Sequence, residues 1–296
     1  MNIEKSIKIA LTIRGHVRNS LNDSLLYDFL KKITQSYNID IYIYTFDIKS
    51  SGKIYTKENK EIDKEKISEK NILNYLKDLS LYTKKIIIDE KNSASETNDR
   101  KIHNVSKNKF LHMWNSIYKI IECVKESKIN YDYIINMRID YFQLMQKFKD
   151  INYVSNMNKL FKINIYDFFE KIDFNENICF SNIVKTIKIK NNLKLKDFFK
   201  KKKEHKKEKI LKNIIFNEND ILYGIDNIFA GKLDYLYKLS FIFVNNIDDV
   251  FNFLENIFDD LGKYSKMNGG SGAPHEVILP LFIKNKLNLY LLKYLI

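Results

Sequence analysis

The chain is short of the residues that punctuate or staple a fold. Its 296 residues include 2 prolines, 8 glycines and 2 cysteines. Cys123 and Cys179 each stand alone, with no Cys-x-x-Cys spacing, which argues against a disulfide framework and a cysteine zinc site. No stretch approaches the roughly 18 consecutive apolar residues of a membrane-spanning helix, and the first residues alternate charge with apolar side chains instead of forming a signal-peptide core. These absences lead us to expect a cytoplasmic protein, at most peripheral to a membrane. Two glycine-rich phosphate signatures are also missing, G-x-x-x-x-G-K-[ST] and G-x-G-x-x-G. Arginine is scarce as well: of 50 basic residues only four are arginine, Arg14, Arg18, Arg100 and Arg138.

What remains is a chain with 45% hydrophobic residues, enough to fill a core and too many for a disordered tail. The net charge of +13 would ordinarily point to nucleic acid or an anionic membrane. The bias toward Lys, Asn, Ile, Tyr and Phe is also what AT-rich coding produces, so the basicity has two readings. Under a pressure that favours lysine, a retained arginine marks a place that needs a planar, bidentate donor. Three of the four arginines fall in two short motifs.

Residues 7–13 form a β-rich apolar run that stops at Arg14-Gly15-His16, the pattern of a buried first strand. Apolar residues at helical spacing over 22–36 (Leu25, Leu26, Phe29, Leu30, Ile33) predict a helix capped by Asn22 or Asp23. Further strands are predicted at 39–46, 85–88 and 133–137, with a long helix over 106–125 leading into the last. Strands alternating with helices, and apolar along most of their length, predict an α/β fold: a mostly parallel central sheet with helices on both faces. The stretch at about 145–217 breaks this rhythm and carries a dense basic run at 194–209. It reads as a lysine-rich insertion within a single domain spanning 1–296. A strand at 226–230, helices near 233–241 and 247–262, a Gly- and Pro-rich loop at 268–274 and a last helix from about His275 to Lys284 complete the chain.

Four constellations could carry chemistry. Arg14-Gly15-His16-Val17-Arg18 lies between the first strand and the first helix, where open α/β sheets bind ligands. Two arginines and a histidine there suit a diphosphate, with the glycine allowing close backbone approach. Arg138-Ile139-Asp140 emerges from the strand at 133–137. Asp140 is placed to hold a divalent cation, Mn2+ or Mg2+, and the segment could equally be a strand-terminal ion pair. Asp226, before the strand at 226–230, is a candidate general base or acceptor contact, or a cap of its turn. His275 and Glu276 open the last helix, where Glu276 also suits the helix dipole. Asp47, closing the strand at 39–46, completes the set. His103, His112 and His205 lack ligand spacing. The core of the basic run has no interleaved aromatic platform, so no specific nucleic-acid partner is expected.

In order, these pieces resemble a family of GT-A-like, Rossmann-type glycosyltransferases of bacterial surface-polysaccharide loci and large DNA viruses. The likeness runs through RGHVR (Arg14 to Arg18), DIYIYTFD (Asp40 to Asp47), MWNSIYKI (Met113 to Ile120), YDYIINMRID (Tyr131 to Asp140), DNIFAGK (Asp226 to Lys232) and PHEVILPLFI (Pro274 to Ile283). The resemblance implies transfer of a sugar from a nucleotide-sugar donor to a glycan or other hydroxyl-bearing acceptor. It also implies a donor side lined by Arg14, Gly15, His16, Arg18, Asp47, Arg138 and Asp140, and a catalytic side at Asp226, His275 and Glu276. The chain departs from the family at one point: its Asp-x-Asp metal motif is here Arg138-Ile139-Asp140. Two rival readings are a nucleotidyl- or phosphoryl-group transferase and a non-catalytic protein that docks on nucleic acid or membrane through the basic run.

Overall fold

Alternation of apolar side chains sets the architecture. In the first strand, β1 (Lys8–Arg14), Ile9, Leu11 and Ile13 point one way and Ala10 and Thr12 the other, and all five are buried. A strand buried on both faces must lie inside a sheet covered on both sides. The computed structural model describes residues 7–49, 65–90, 100–102, 105–143, 178–180, 183–186, 221–224 and 228–249, with Phe169 and Asn252. Among these, β1 is central. It pairs in parallel with β2 (Asn38–Phe46) on one side and with β6 (Tyr133–Arg138) on the other.

A six-stranded sheet runs in the order β3-β2-β1-β6-β10-β7, where β3 is Thr83–Asp89, β7 is Ile178–Phe180 and β10 is Ile228–Gly231. The sheet is mostly parallel. β10 is the exception, antiparallel to both β6 and β7. Two antiparallel ribbons stand apart from it: β4 (Lys101–Ile102) with β5 (Val105–Ser106), and β8 (Ile183–Thr186) with β9 (Ile221–Gly224). The basic run at 194–209 lies outside the described residues.

Helices cover both faces. On one, α1 (Leu25–Ser36) presents Leu26, Phe29, Leu30 and Ile33 to Ile9, Leu11, Ile13, Ile41, Ile43, Ile135 and Met137. α2 (Glu69–Leu76) adds Ile72 and Leu76 to the same cluster, followed by a 3-10 turn at Lys77–Tyr82 that adds Leu79. On the other face α3 (Lys107–Glu126) and α4 (Leu233–Asn245) pack Phe110, Trp114, Ile117, Ile121, Leu236 and Phe243 against Ala10, Tyr42, Ile134 and Phe229. The Trp114 and Phe243 rings meet at 4.1 Å between centroids. An aromatic pair of this kind adds about 0.5–1.5 kcal/mol beyond the area it buries.

The predicted elements at 7–13, 22–36, 39–46, 106–125 and 133–137 all form, within one to three residues of their expected ends. The 22–36 helix begins later than expected. Its N-cap is Ser24, whose side chain makes no capping bond, while Asp23 accepts the Leu25 N–H at 3.0 Å. The strand at 85–88 extends to seven residues, and the 233–241 helix continues to Asn245.

At the amino edge of the sheet a buried carboxylate fixes the strands. Tyr131 donates to Asp40 at 2.7 Å and contacts the Tyr42 hydroxyl at 3.0 Å, with Lys8 and Lys84 each 3.3 Å from Asp40. The opposite, carboxyl edge has a different character. The chain passes from β1 outward to β2 and β3, then returns through α3 to place β6 on β1's other flank. Where the strand order reverses in this way, adjacent connections leave in opposite directions and a crevice opens above the strand ends. Here that switch point falls between β1 and β6, whose last residues are Arg14 and Arg138.

Candidate functional site

Arg14 and Arg138 are the last residues of β1 and β6, and they are register partners. They sit on the α3 side of the sheet, since Arg14 follows Ala10 and Thr12 in the alternation, and Arg138 follows Ile134 and Asn136. Tyr44 of β2 occupies the same rung beyond Arg14. The last rung therefore carries Tyr44, Arg14 and Arg138 side by side over the switch point.

Arg14 is only 3% exposed. Its Nε donates to Oδ1 of Asn136, two rungs deeper on the same face, at 3.1 Å. That bond fixes the orientation of the amide, because an N–H donor must face the carboxamide oxygen. Asn136 is fully buried, and its Nδ2 has no hydrogen-bond partner among the described residues. A buried amide donor of this kind calls for an acceptor such as water or a ligand oxygen.

After β1 the backbone is clamped on both sides. Gly15 donates to the Tyr44 carbonyl at 3.0 Å, Ile139 donates to the Arg14 carbonyl at 2.8 Å, and Arg18 donates to the Lys49 carbonyl at 2.7 Å. Gly15 has φ +111, a conformation that side-chain-bearing residues rarely adopt. Arg18 has φ +50. A long side chain in the left-handed region costs about 1–3 kcal/mol and persists only where its surroundings impose it. Its side chain shows what the conformation achieves: the guanidinium reaches Oδ2 of Asp140, more than a hundred residues away in sequence.

Asp140 is thereby gripped from two directions. Arg138 donates to it twice, Nε to Oδ1 at 2.8 Å and a terminal nitrogen to Oδ2 at 2.9 Å, and Arg18 donates to the same Oδ2. The carboxylate is 2% exposed. Burial acts to raise its pKa, but the adjacent charge and hydrogen bonds of Arg138 and the charge of Arg18 prevail, and the group is held below the usual carboxylate range.

This donor set does not fit the expected divalent cation. Three guanidinium N–H groups already point at the two oxygens, and no group of three His, Cys, Asp or Glu side chains that could hold a metal occurs among the described residues. Electrostatics opposes it too. Two unit charges 4 Å apart repel by about 4 kcal/mol at an effective dielectric constant near 20, and a divalent ion at Asp140 would face two guanidiniums. A cluster of arginines with a buried amide donor suits anionic oxygens instead.

The other expected site residues divide. His16 stacks on Phe46, ring centroids 4.4 Å apart, with Nδ1 3.4 Å from the Ile48 carbonyl oxygen, so it flanks the arginines on the β2 side. Asp47 lies toward β3: its carboxylate is ion-paired with Lys66 and its N–H donates to the Asp89 carbonyl at 3.0 Å. Asp226, His275 and Glu276 lie outside the described residues.

Two features of the edge escape the sequence reading. One is Asn136, a polar residue inside the apolar run YIINM whose misfit was the available signal. The other is a cluster at the end of β3, where Tyr44 donates to Asp89 at 2.7 Å and Lys119 of α3 ion-pairs with the same oxygen. Burial pushes the Asp89 carboxyl up, but these two donors outweigh it and hold it below the ordinary value. Burial, reinforced by Asp89, pushes the Tyr44 phenol well above its ordinary value. Below the loop, on the α1 side, an open cavity of about 320 Å3 is lined by Val17, Asn22, Lys49, Asn71 and Tyr75, among others. Compared with known proteins, the chain matches no family model, no curated protein and no solved structure.

Proposed function

We propose that the chain is a glycosyltransferase that takes a sugar from a nucleotide-sugar donor and passes it to a hydroxyl-bearing acceptor such as a glycan. The observation that supports this reading most is the pairing of Arg14 with Arg138 at the topological switch point, with Arg18 joined to them through Asp140. In sugar transfer the bond between the anomeric carbon and the donor's phosphate oxygen breaks, and the electron pair leaves with the nucleoside diphosphate. Negative charge grows on that leaving oxygen. Guanidiniums held in advance where the charge develops stabilise it without reorganising. The acceptor hydroxyl forms the new bond and must lose its proton, a step assigned here to Asp226 or Glu276, with His275 beside the latter. A nucleotidyl- or phosphoryl-transferase, which would rely on a metal-bound carboxylate, is less well served by an Asp140 engaged by two arginines.

The same reading has the protein work in the cytoplasm, with the 194–209 run as a peripheral membrane contact. Among the described residues no helix is long and apolar enough to cross a membrane.

The test is a thermal-shift screen against UDP-, GDP-, CMP- and dTDP-sugars. A ligand at 100 times its Kd adds about 2.7 kcal/mol, which for a domain of this size is about 5–10 °C in Tm. Asp226→Asn and Glu276→Gln should keep that shift while losing turnover, the pattern of a contact made mainly in the transition state. If no nucleotide sugar shifts Tm, the reading is wrong.

A further inference from the structure

We infer that the carboxyl-edge site binds diphosphate without a divalent cation, and that Asp140 is a positioning residue that holds the Arg18 and Arg138 guanidiniums side by side. The inference rests on the donor-site reading above and adds how the anion is neutralised and what the lone carboxylate is for.

Four observations carry it. Asp140 accepts from both arginines and is nearly fully buried, so its oxygens face guanidinium nitrogens. The two arginines arrive from opposite strands of the switch point, one from β6 itself and one from the loop after β1. The carboxylate between them offsets the repulsion of two guanidiniums brought together. Arg18 reaches Asp140 only from a left-handed backbone, a conformation its hydrogen bond to Lys49 maintains. Asn136, whose Oδ1 accepts from Arg14, keeps a buried Nδ2 without a hydrogen-bond partner; as a donor it would complement a phosphate oxygen and has nothing to give a cation.

A planar guanidinium can offer two parallel N–H groups to one phosphate while another edge stays on a carboxylate. Asp140 thus does the work of a bracket. It fixes the spacing and tilt of two forks, and the forks supply the positive charge that a metal would otherwise bring.

The experiment uses the full-length chain and inorganic pyrophosphate, which probes the diphosphate subsite independently of base and sugar. Pyrophosphate is titrated calorimetrically in EDTA, and Mn2+ is titrated into the protein alone with detection by electron paramagnetic resonance. Expected are pyrophosphate binding in EDTA and no stoichiometric Mn2+ site. Arg18→Lys and Arg138→Lys keep the charge but lose the fork, and each should weaken pyrophosphate about tenfold or more. Asp140→Asn removes a negative charge from an anion site, so a purely electrostatic account has it bind pyrophosphate more tightly. A positioning role has it bind about tenfold more weakly, with part of the loss recovered in Asp140→Glu.

Pyrophosphate that binds only when Mn2+ is present, or a stoichiometric Mn2+ site lost in Asp140→Asn, overturns this inference and leaves the donor-site reading intact. Absence of pyrophosphate and nucleotide-sugar binding under both conditions overturns both. Unchanged or tighter binding in Asp140→Asn overturns the positioning role. If that variant does not fold, the two lysine variants decide, and full affinity in both refutes the assignment.

Discussion

Replacing Asp140 by alanine should be among the most destabilising single changes in the described part of the chain. The carboxylate is 2% exposed and sits between Arg18 and Arg138, whose side chains are only 15% and 19% exposed. Deleting it leaves two like charges close together, each with little access to bulk water, without the carboxylate between them. Breaking a buried pair by removing one partner costs about 3–5 kcal/mol, which for a domain of this size lowers Tm by roughly 6–20 °C. Urea unfolding at neutral pH, followed by circular dichroism, measures it as a shift in the midpoint. The combined variant Arg18→Met, Arg138→Met, Asp140→Leu leaves no charge stranded and should recover most of the loss. Acid provides an independent check. Despite its burial, the charges and hydrogen bonds of the two arginines hold the folded-state pKa of Asp140 below the ordinary value of an aspartate in the unfolded chain. Its stabilisation is therefore present above that unfolded value and disappears as pH falls through the folded one. Wild-type stability should drop across that acidic window, and Asp140→Ala should drop less. A loss below about 1 kcal/mol, with the acid limb unchanged, would mean that the charges are solvated and the triad contributes little.

Other perturbations test the supporting frame. Gly15→Ala should destabilise by more than the roughly 0.4–1 kcal/mol that such a change contributes at a compatible site, despite ample room, since the new Cβ would meet nothing closer than Ile139 at 4.0 Å. The strain lies in φ +111, and a variant of wild-type Tm would show that the loop relaxes freely. Ser68→Ala removes a capping box in which Ser68 and Asn71 exchange hydrogen bonds; it should cost α2 about 0.5–2 kcal/mol, visible as faster amide exchange in that helix. Trp114→Ala empties the centre of the α3 and α4 face and should cost about 3–5 kcal/mol in urea unfolding. A loss under about 1 kcal/mol would mean that the two helices close over the gap.

Much of this architecture is legible in sequence because period and burial coincide. Ile9 to Ile13 and Tyr133 to Met137 are buried on both faces and apolar but for Thr12 and Asn136, a pattern that fits an internal strand of a covered sheet. α3 shows its stripe over five turns. The misses have equally local causes. α2 spans two turns, so Ile72 and Leu76 make too short a pattern to register, although Ser68 three residues before Asn71 was a readable start signal. The direction of β10 left no trace either, since four buried residues, Ile228 to Gly231, look alike whichever way they run. That direction has a consequence for function. Being antiparallel, β10 begins opposite Met137, at the carboxyl edge, so the chain enters the sheet beside the arginines.

The site was half legible for a different reason. Strand ends and arginine scarcity are one-dimensional facts, and they sufficed to single out Arg14, Arg18, Arg138 and Asp140 as a group. What the arrangement does with a carboxylate is not one-dimensional. Arg138 and Asp140 are two residues apart, and read alone they offer an acid free to take a metal. Arg18 changes that chemistry from across the switch point, through a left-handed backbone that no propensity of arginine favours. Asn136 lies under Arg14 only because β1 and β6 are register neighbours. Whether Asp140 meets one guanidinium or two is thus decided by pairings more than a hundred residues apart. It follows from the order of strands in the sheet, since any order that separated β1 from β6 would leave Asp140 to Arg138 alone.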